Sequence, residues 1–148
     1  MKKIIYIFVT FLSLVSCQDI DVTHVAGPYY LVVTDTKEDR SLSYKVEDGL
    51  YAGGVPPMVY AIWHNDDFII AKQHPSYGFE PELNKTLYYI VPLKNPVSKF
   101  PDENFIGPLD KEEFIKKVKE LKITDKITFK ELSLYNLFST RYLLSCSI

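Results

Sequence analysis

Residues 58–63 and 68–73 are two apolar stretches separated by His64-Asn65-Asp66-Asp67, a spacing that predicts a β-hairpin. Neither stretch alternates cleanly between apolar and polar residues; Ala61-Ile62-Trp63 and Phe68-Ile69-Ile70-Ala71 are continuous runs. A strand wetted on one face would carry a polar residue at every second position, so both strands are expected to sit centrally in the sheet.

Further strands are expected on both sides of this hairpin. Residues 29–34 are aromatic and β-branched and are bounded by Pro28 and the polar run 35–40. In 41–46, Leu42, Tyr44 and Val46 alternate with Ser41, Ser43 and Lys45, the pattern of a half-buried strand. Residues 49–57 contain Gly53-Gly54 and Pro56-Pro57 and read as a loop. The stretch 74–85, with Pro75, Gly78 and Pro81, reads as a second, longer one. A strand follows at 87–93, closed by Pro92 and an Asn95-Pro96 turn, and Ile127 and Phe129 alternate with Thr128 and Lys130 in a last one.

The helix signal is compact. Asp110 and Glu113 form a D-x-x-E capping box, and Leu109 is placed to staple onto Phe114. Phe114, Ile115, Val118 and Leu121 share one face, with Glu112–Lys116 and Glu113–Lys117 as i,i+4 pairs, which predicts a helix over 111–121. A short helix is also compatible with Leu134, Leu137, Phe138 and Tyr142. The expected fold is one α+β domain: a mainly antiparallel sheet of about five or six strands with one packed helix.

The chain starts with Lys2-Lys3 and an apolar run over 4–15 broken only by Thr10 and Ser13, the layout of a secretory leader. Twelve residues span about 18 Å as a helix, short of the roughly 30 Å needed to cross a membrane. Leu14-Val15-Ser16-Cys17 resembles the lipobox of bacterial lipoproteins, which implies cleavage before Cys17 and lipid on that cysteine. The expected organisation is a leader over 1–16, a tether over 17–26 and a single domain over 27–148. Several acyl chains would hold that domain stably at a membrane, and Gln18 after the lipidated cysteine implies outer-membrane sorting where two membranes exist.

Loss of the leader leaves 132 residues, enough for one core, and moves the formal net charge from −2 to −4 as Lys2 and Lys3 depart. With no basic cluster outside the 116–122 stretch, nucleic acid is a poor fit as partner. Cys146 then remains as an odd thiol, read as buried.

Motifs for catalysis are absent from the sequence. His24, His64 and His74 stand in no H-x-H or H-x-x-x-H spacing, so no metal or cofactor is expected. No G-x-S-x-G elbow surrounds a serine, and the Asp66-Asp67 and Glu112-Glu113 neighbours point in different directions. The compositional oddity is aromatic: eleven Tyr, nine Phe and one Trp. Adjacent pairs such as Tyr88-Tyr89 send one ring to each face of a sheet, so an uncovered face would offer tyrosines for binding; a sheet core with hydroxyls reaching solvent explains the same residues. Trp63, Tyr77 and Tyr88, with His74 where a strand meets the long loop, form the candidate binding surface.

The order Gly27-Pro28-Tyr29-Tyr30, Leu42-Ser43-Tyr44, Gly53-Gly54-Val55, Ile69-Ile70-Ala71-Lys72-Gln73-His74-Pro75 and Tyr88-Tyr89-Ile90 resembles a functionally uncharacterised family of small bacterial lipoproteins. The resemblance implies an envelope location and no particular activity. The expected function is a non-enzymatic binding or structural module contacting an envelope protein or glycan. The alternatives are an immunity or inhibitor protein against an exported toxin and, behind it, an envelope-polymer hydrolase.

Overall fold

The computed structural model describes residues 20–77, 80–94 and 104–133. Cys17, Cys146, the Asn95-Pro96 turn and the short helix expected after 133 lie outside these residues. Strands β1 (Asp21–Ala26), β2 (Tyr29–Val33), β3 (Ser41–Glu47) and β4 (Leu50–Val55) form an antiparallel meander in the order β1-β2-β3-β4. Strands β5 (Val59–His64), β6 (Phe68–Gln73), β9 (Leu87–Pro92), β10 (Ile106–Leu109) and β11 (Lys130–Glu131) form a second sheet ordered β10-β9-β6-β5-β11. Between β6 and β9 a small ribbon pairs β7 (Ser76–Tyr77) with β8 (Glu80–Pro81). Helix α1 (Lys111–Glu120) follows β10.

The 58–63/68–73 hairpin is present as β5–β6, with Asn65 shaping its tip: its Oδ1 accepts from the backbone N–H groups of Asp67 and Phe68 at 2.9 and 2.8 Å. Strands β5 and β6 both lie inside their sheet, as their continuous apolar sequence leads one to expect, and β6 and β9 are buried on both faces. Ile69 and Ala71, opposite Val91 and Tyr89, face the four-stranded sheet and pack with Leu31, Leu42 and Val55. Ile70 and Ile90, opposite each other, face the other way and pack with Phe114 of α1. Ile69, Ile70, Ala71, Ile90 and Val91 are wholly inaccessible to solvent, so the five-stranded sheet is the middle layer of three. Each such aliphatic side chain contributes about 2 kcal/mol by leaving water.

Helix α1 starts where the capping box puts it. The Asp110 carboxylate accepts from the N–H groups of Glu112 and Glu113, and Glu113 reaches back to the Asp110 N–H at 3.0 Å. Glu113 is therefore committed to the cap, and Lys117 pairs forward with Glu120 at 2.9 Å instead of back to Glu113. Phe114 stacks on Tyr88 with ring centroids 4.4 Å apart, whereas Ile115 stays 44% exposed at the margin of the apolar face.

The α+β class and the one packed helix are as expected, with the strands shared between two sheets. Two segments read as irregular are strands. Asp21–Ala26, expected in the tether, pairs with β2 through Thr23↔Leu31 and His24↔Tyr30. Its β-branched Val22, Thr23 and Val25 suit a strand, and only Val25 is buried, so the strand gives little hydrophobic signal. Leu50–Val55, expected as loop, pairs with β3 despite its glycines. Gly54 adopts φ +113° at a bulge opposite Leu42, where a Cβ would overlap the Leu42 carbonyl oxygen and meet Phe105 at 3.2 Å. The two glycines permit a backbone approach that a side chain would block. Conversely, the strand read over 127–130 is reduced to Lys130–Glu131, and Val46 at the end of β3 is half exposed.

Gly54→Ala is expected to destabilise the fold by about 3 kcal/mol, read as a lowered denaturant midpoint, because it adds both overlap and positive-φ strain. Tyr29 and Tyr89 have hydroxyl pKa values raised above 10, in both cases by burial, with Tyr44 adding to the shift at Tyr29. The unfolded chain therefore releases these protons first. Their contribution is complete below pH about 10 and is lost as pH rises through the folded values. Denaturant midpoints measured from pH 9 to 11 are expected to fall, and to fall less steeply in Tyr89→Phe.

Candidate functional site: a cleft at the open edge of the sandwich

The two sheets separate where β1 and β2 face β5 and β11. By strand alternation Asp21, Thr23 and Val25 share the inward face of β1, yet only Val25 is apolar and buried. Polar side chains at the other two inward positions leave the edge open, and a cleft of about 380 Å³ results. Its floor is the apolar wall of Val25, Leu31 and Ile62, all buried. Around the rim stand Asp21, Thr23, His64, Thr128 and Lys130, all exposed, with half-buried Trp63 beside them. A pocket of a few hundred Å³ with an apolar floor and a few polar groups has the form of a small-ligand site.

Arg40 is the unusual member of the lining. It follows a single 3₁₀ turn (Lys37–Asp39), and its carbonyl accepts from the Val59 N–H at 3.0 Å, as the Glu38 carbonyl does from Met58 at 2.9 Å. These bonds tie the start of β3 to the crossover between the sheets. Met58 itself holds φ +76° with its side chain buried, strain that the two backbone bonds and the packing hold in place. The guanidinium so positioned is poorly compensated. Its Nη2 donates to the Ser133 carbonyl at 3.4 Å, and its Nη1 is buried with no hydrogen-bond partner. Among the described residues no carboxylate lies within ion-pairing distance of it. Burial pulls the Arg40 pKa below its ordinary value, against the opposing fields of Asp21 and Glu38. The lining holds two formal cations, Arg40 and Lys130, to one anion, Asp21, in a chain whose net charge is −2.

Of the four residues read as a binding surface, Trp63 borders this cleft through its place on β5 between Ile62 and His64, but its side chain, opposite Ile70, packs on the helix side with the Ile70, Ile90 and Phe114 cluster. His74 lies elsewhere: its ring stacks on Tyr60 with centroids 4.1 Å apart, and Nδ1 is 2.8 Å from the Lys85 carbonyl oxygen. The Tyr60 hydroxyl in turn bonds Thr86 Oγ1 at 2.7 Å; its pKa is raised by burial, which outweighs this bond, with Tyr88 and Glu131 raising it further. His74 and Tyr60 thus clamp the start of the long loop to the sheet. Tyr88 is packed beneath α1 against Phe114, and Tyr77 lies in β7 opposite Glu80. On the outer face of the four-stranded sheet, His24, Tyr30 and Tyr51 form an edge-to-face row with centroid spacings of 4.9 and 5.4 Å. Among the described residues no group of three or more His, Cys, Asp or Glu is placed to hold a metal ion.

Asp21, Thr23, Arg40 and Lys130 escape a reading of the sequence. The first two fall in the segment taken as tether, and the others look like solvated polar residues. One signal was available: Val22, Thr23 and Val25 before the Gly27-Pro28 turn mark a strand of a β1–β2 hairpin whose inward positions are partly polar.

A family model described as a protein of unknown function, DUF3997, matches residues 26–133. The chain belongs to this family. The match runs from the last residue of β1 through β11, so the DUF3997 region contains Arg40, Trp63 and Lys130 and stops short of Asp21 and Thr23. No curated protein and no solved structure matches the chain significantly.

Replacing an uncompensated, partly desolvated cation by an apolar chain of similar reach removes an electrostatic cost and keeps the packing of the stem. Arg40→Met is expected to unfold at the same temperature as the parent or higher. A clear drop in thermal midpoint would contradict the assignment of Arg40 as a residue the fold does not need.

Proposed function

We propose that this DUF3997 protein is a lipid-anchored protein of the bacterial cell envelope whose domain works by binding an envelope component, not by catalysis, with the cleft between β1–β2 and β5–β11 as its site. The observation that carries the binding reading is the cleft itself: an apolar floor, a polar rim and a guanidinium left without a full complement of partners. A fold that keeps an under-satisfied cation beside an open cleft bears a cost unrelated to its own stability.

The anchoring reading is supported by the leader, with Lys2-Lys3, the apolar run over 4–15 and Cys17 closing a lipobox-like tetrapeptide. It gains from the position of β1. Because β1 begins at Asp21, three residues stand between the modified cysteine and the cleft rim, a reach of at most about 14 Å. Gln18 supports delivery to the outer membrane where a cell has two. Among the described residues no helix is long and apolar enough to cross a membrane.

Fractionation with mass spectrometry of the N-terminal peptide tests this reading. The wild type is expected in the membrane fraction with diacylglycerol on Cys17, and Cys17→Ala is expected to lose both the modification and the cleavage that follows it. Unmodified wild-type protein in the soluble fraction would overturn the anchor.

A further inference from the structure

The charge, the shape and the placement of the cleft together narrow its ligand. Resting on the tethered reading above, we propose that the cleft is a phosphate site, in which Arg40 and Lys130 receive the phosphate of a ligand presented at the membrane surface. Arg40 lines the cleft and presents a planar fork of N–H donors suited to two oxygens of one anion, and among the described residues no carboxylate pairs with it. Lys130, on the opposite wall, adds a mobile second charge from an exposed position. The hydroxyls of Thr23 and Thr128 line the same space and can donate to a tetrahedral anion. Asp21 opposes an anion but is fully at the rim, and the lining keeps a net positive balance in an acidic protein.

Placement favours phosphate over other anions. A cysteine anchored four residues before Asp21 keeps the mouth of the cleft at most about 14 Å from the lipid attachment, near the phospholipid headgroup layer. The phosphate can belong to such a headgroup or to a soluble phosphate ester of the envelope. Both offer the same group to Arg40 and Lys130.

Trp63, the one tryptophan of the chain, stands on β5 between Ile62 and His64 of the cleft wall and serves as the reporter. The mature chain, purified from membranes into a non-ionic sugar detergent, is titrated with glycerol 3-phosphate and, separately, with phosphatidylglycerol doped into the micelles. Glycerol and diacylglycerol serve as controls carrying the same organic parts without phosphate. A saturable change in Trp63 emission is expected with at least one phosphate probe and neither control; response to the soluble ester identifies a free ligand, and response to the lipid alone identifies a headgroup. Arg40→Met and Lys130→Gln are each expected to weaken that response about tenfold or more, the cost of a lost charge-assisted hydrogen bond. Lys130 is exposed, so its substitution leaves the fold intact and keeps the test meaningful if Arg40→Met misfolds. No saturable response to either phosphate probe, or responses unchanged in both variants, would overturn the phosphate site even if Cys17 carries lipid. A phosphate response lost in the variants supports the site even if Cys17 is bare, and in that event the tether alone falls.

Discussion

The pairing of β6 with β9 is the interaction on which the other layers depend. Ile69, Ala71 and Val91 on one side and Ile70 and Ile90 on the other are sealed from water by different partners, the four-stranded sheet and helix α1. Neither cover is apolar on both sides: the four-stranded sheet offers one apolar face, with Leu31, Leu42 and Val55. Sheet β1–β4 carries serines, tyrosines and a lysine on its outer face, and α1 buries only Phe114 completely enough to leave less than a tenth of it exposed. A cap such as Asp110 is worth about 1 kcal/mol, whereas the five sealed residues of the central pair together remove several times that much apolar surface energy. The central strands hold the covers; the covers do not hold each other.

This hierarchy explains what could be read from the sequence. The β5–β6 hairpin and β9 are legible because both faces are apolar, and a continuous run with turn residues at its ends has few other meanings. Helix α1 is legible because its start is chemically specified by Asp110 and Glu113. Strands β1 and β4 are not, since an edge strand buries little: β1 hides one residue, and β4 depends on glycines whose use is a close approach to the backbone of Leu42. The site suffers the same fate. A cleft at an edge is lined by residues whose polarity matches that of ordinary surface, so Arg40 and Lys130 become distinctive only once the sheets are stacked. Trp63 and Tyr88, aromatic residues that suggest a binding surface, both pack on the helix side of the five-stranded sheet.

Fold and site are joined through the crossover. The strained Met58 donates its N–H to Glu38 of the Lys37–Asp39 turn and Val59 donates to Arg40, and that junction sets Arg40 beside the opening between the sheets. Position is thus fixed by backbone hydrogen bonds while the side chain is left undersatisfied. The two features belong together in a binding site, where preorganisation lowers the cost of association and an unmet hydrogen bond adds to its gain.

Amide hydrogen exchange of the native protein tests most directly the claim that a sealed central pair supports a deliberately open edge. Amides of residues 69–71 and 89–91 are expected to exchange slowest, only through global unfolding, and those of β1 beside the cleft to exchange fastest among the strands of the two sheets, through local opening. Protection in β1 equal to that in β6 would contradict it, since the edge would then be as firmly closed as the core.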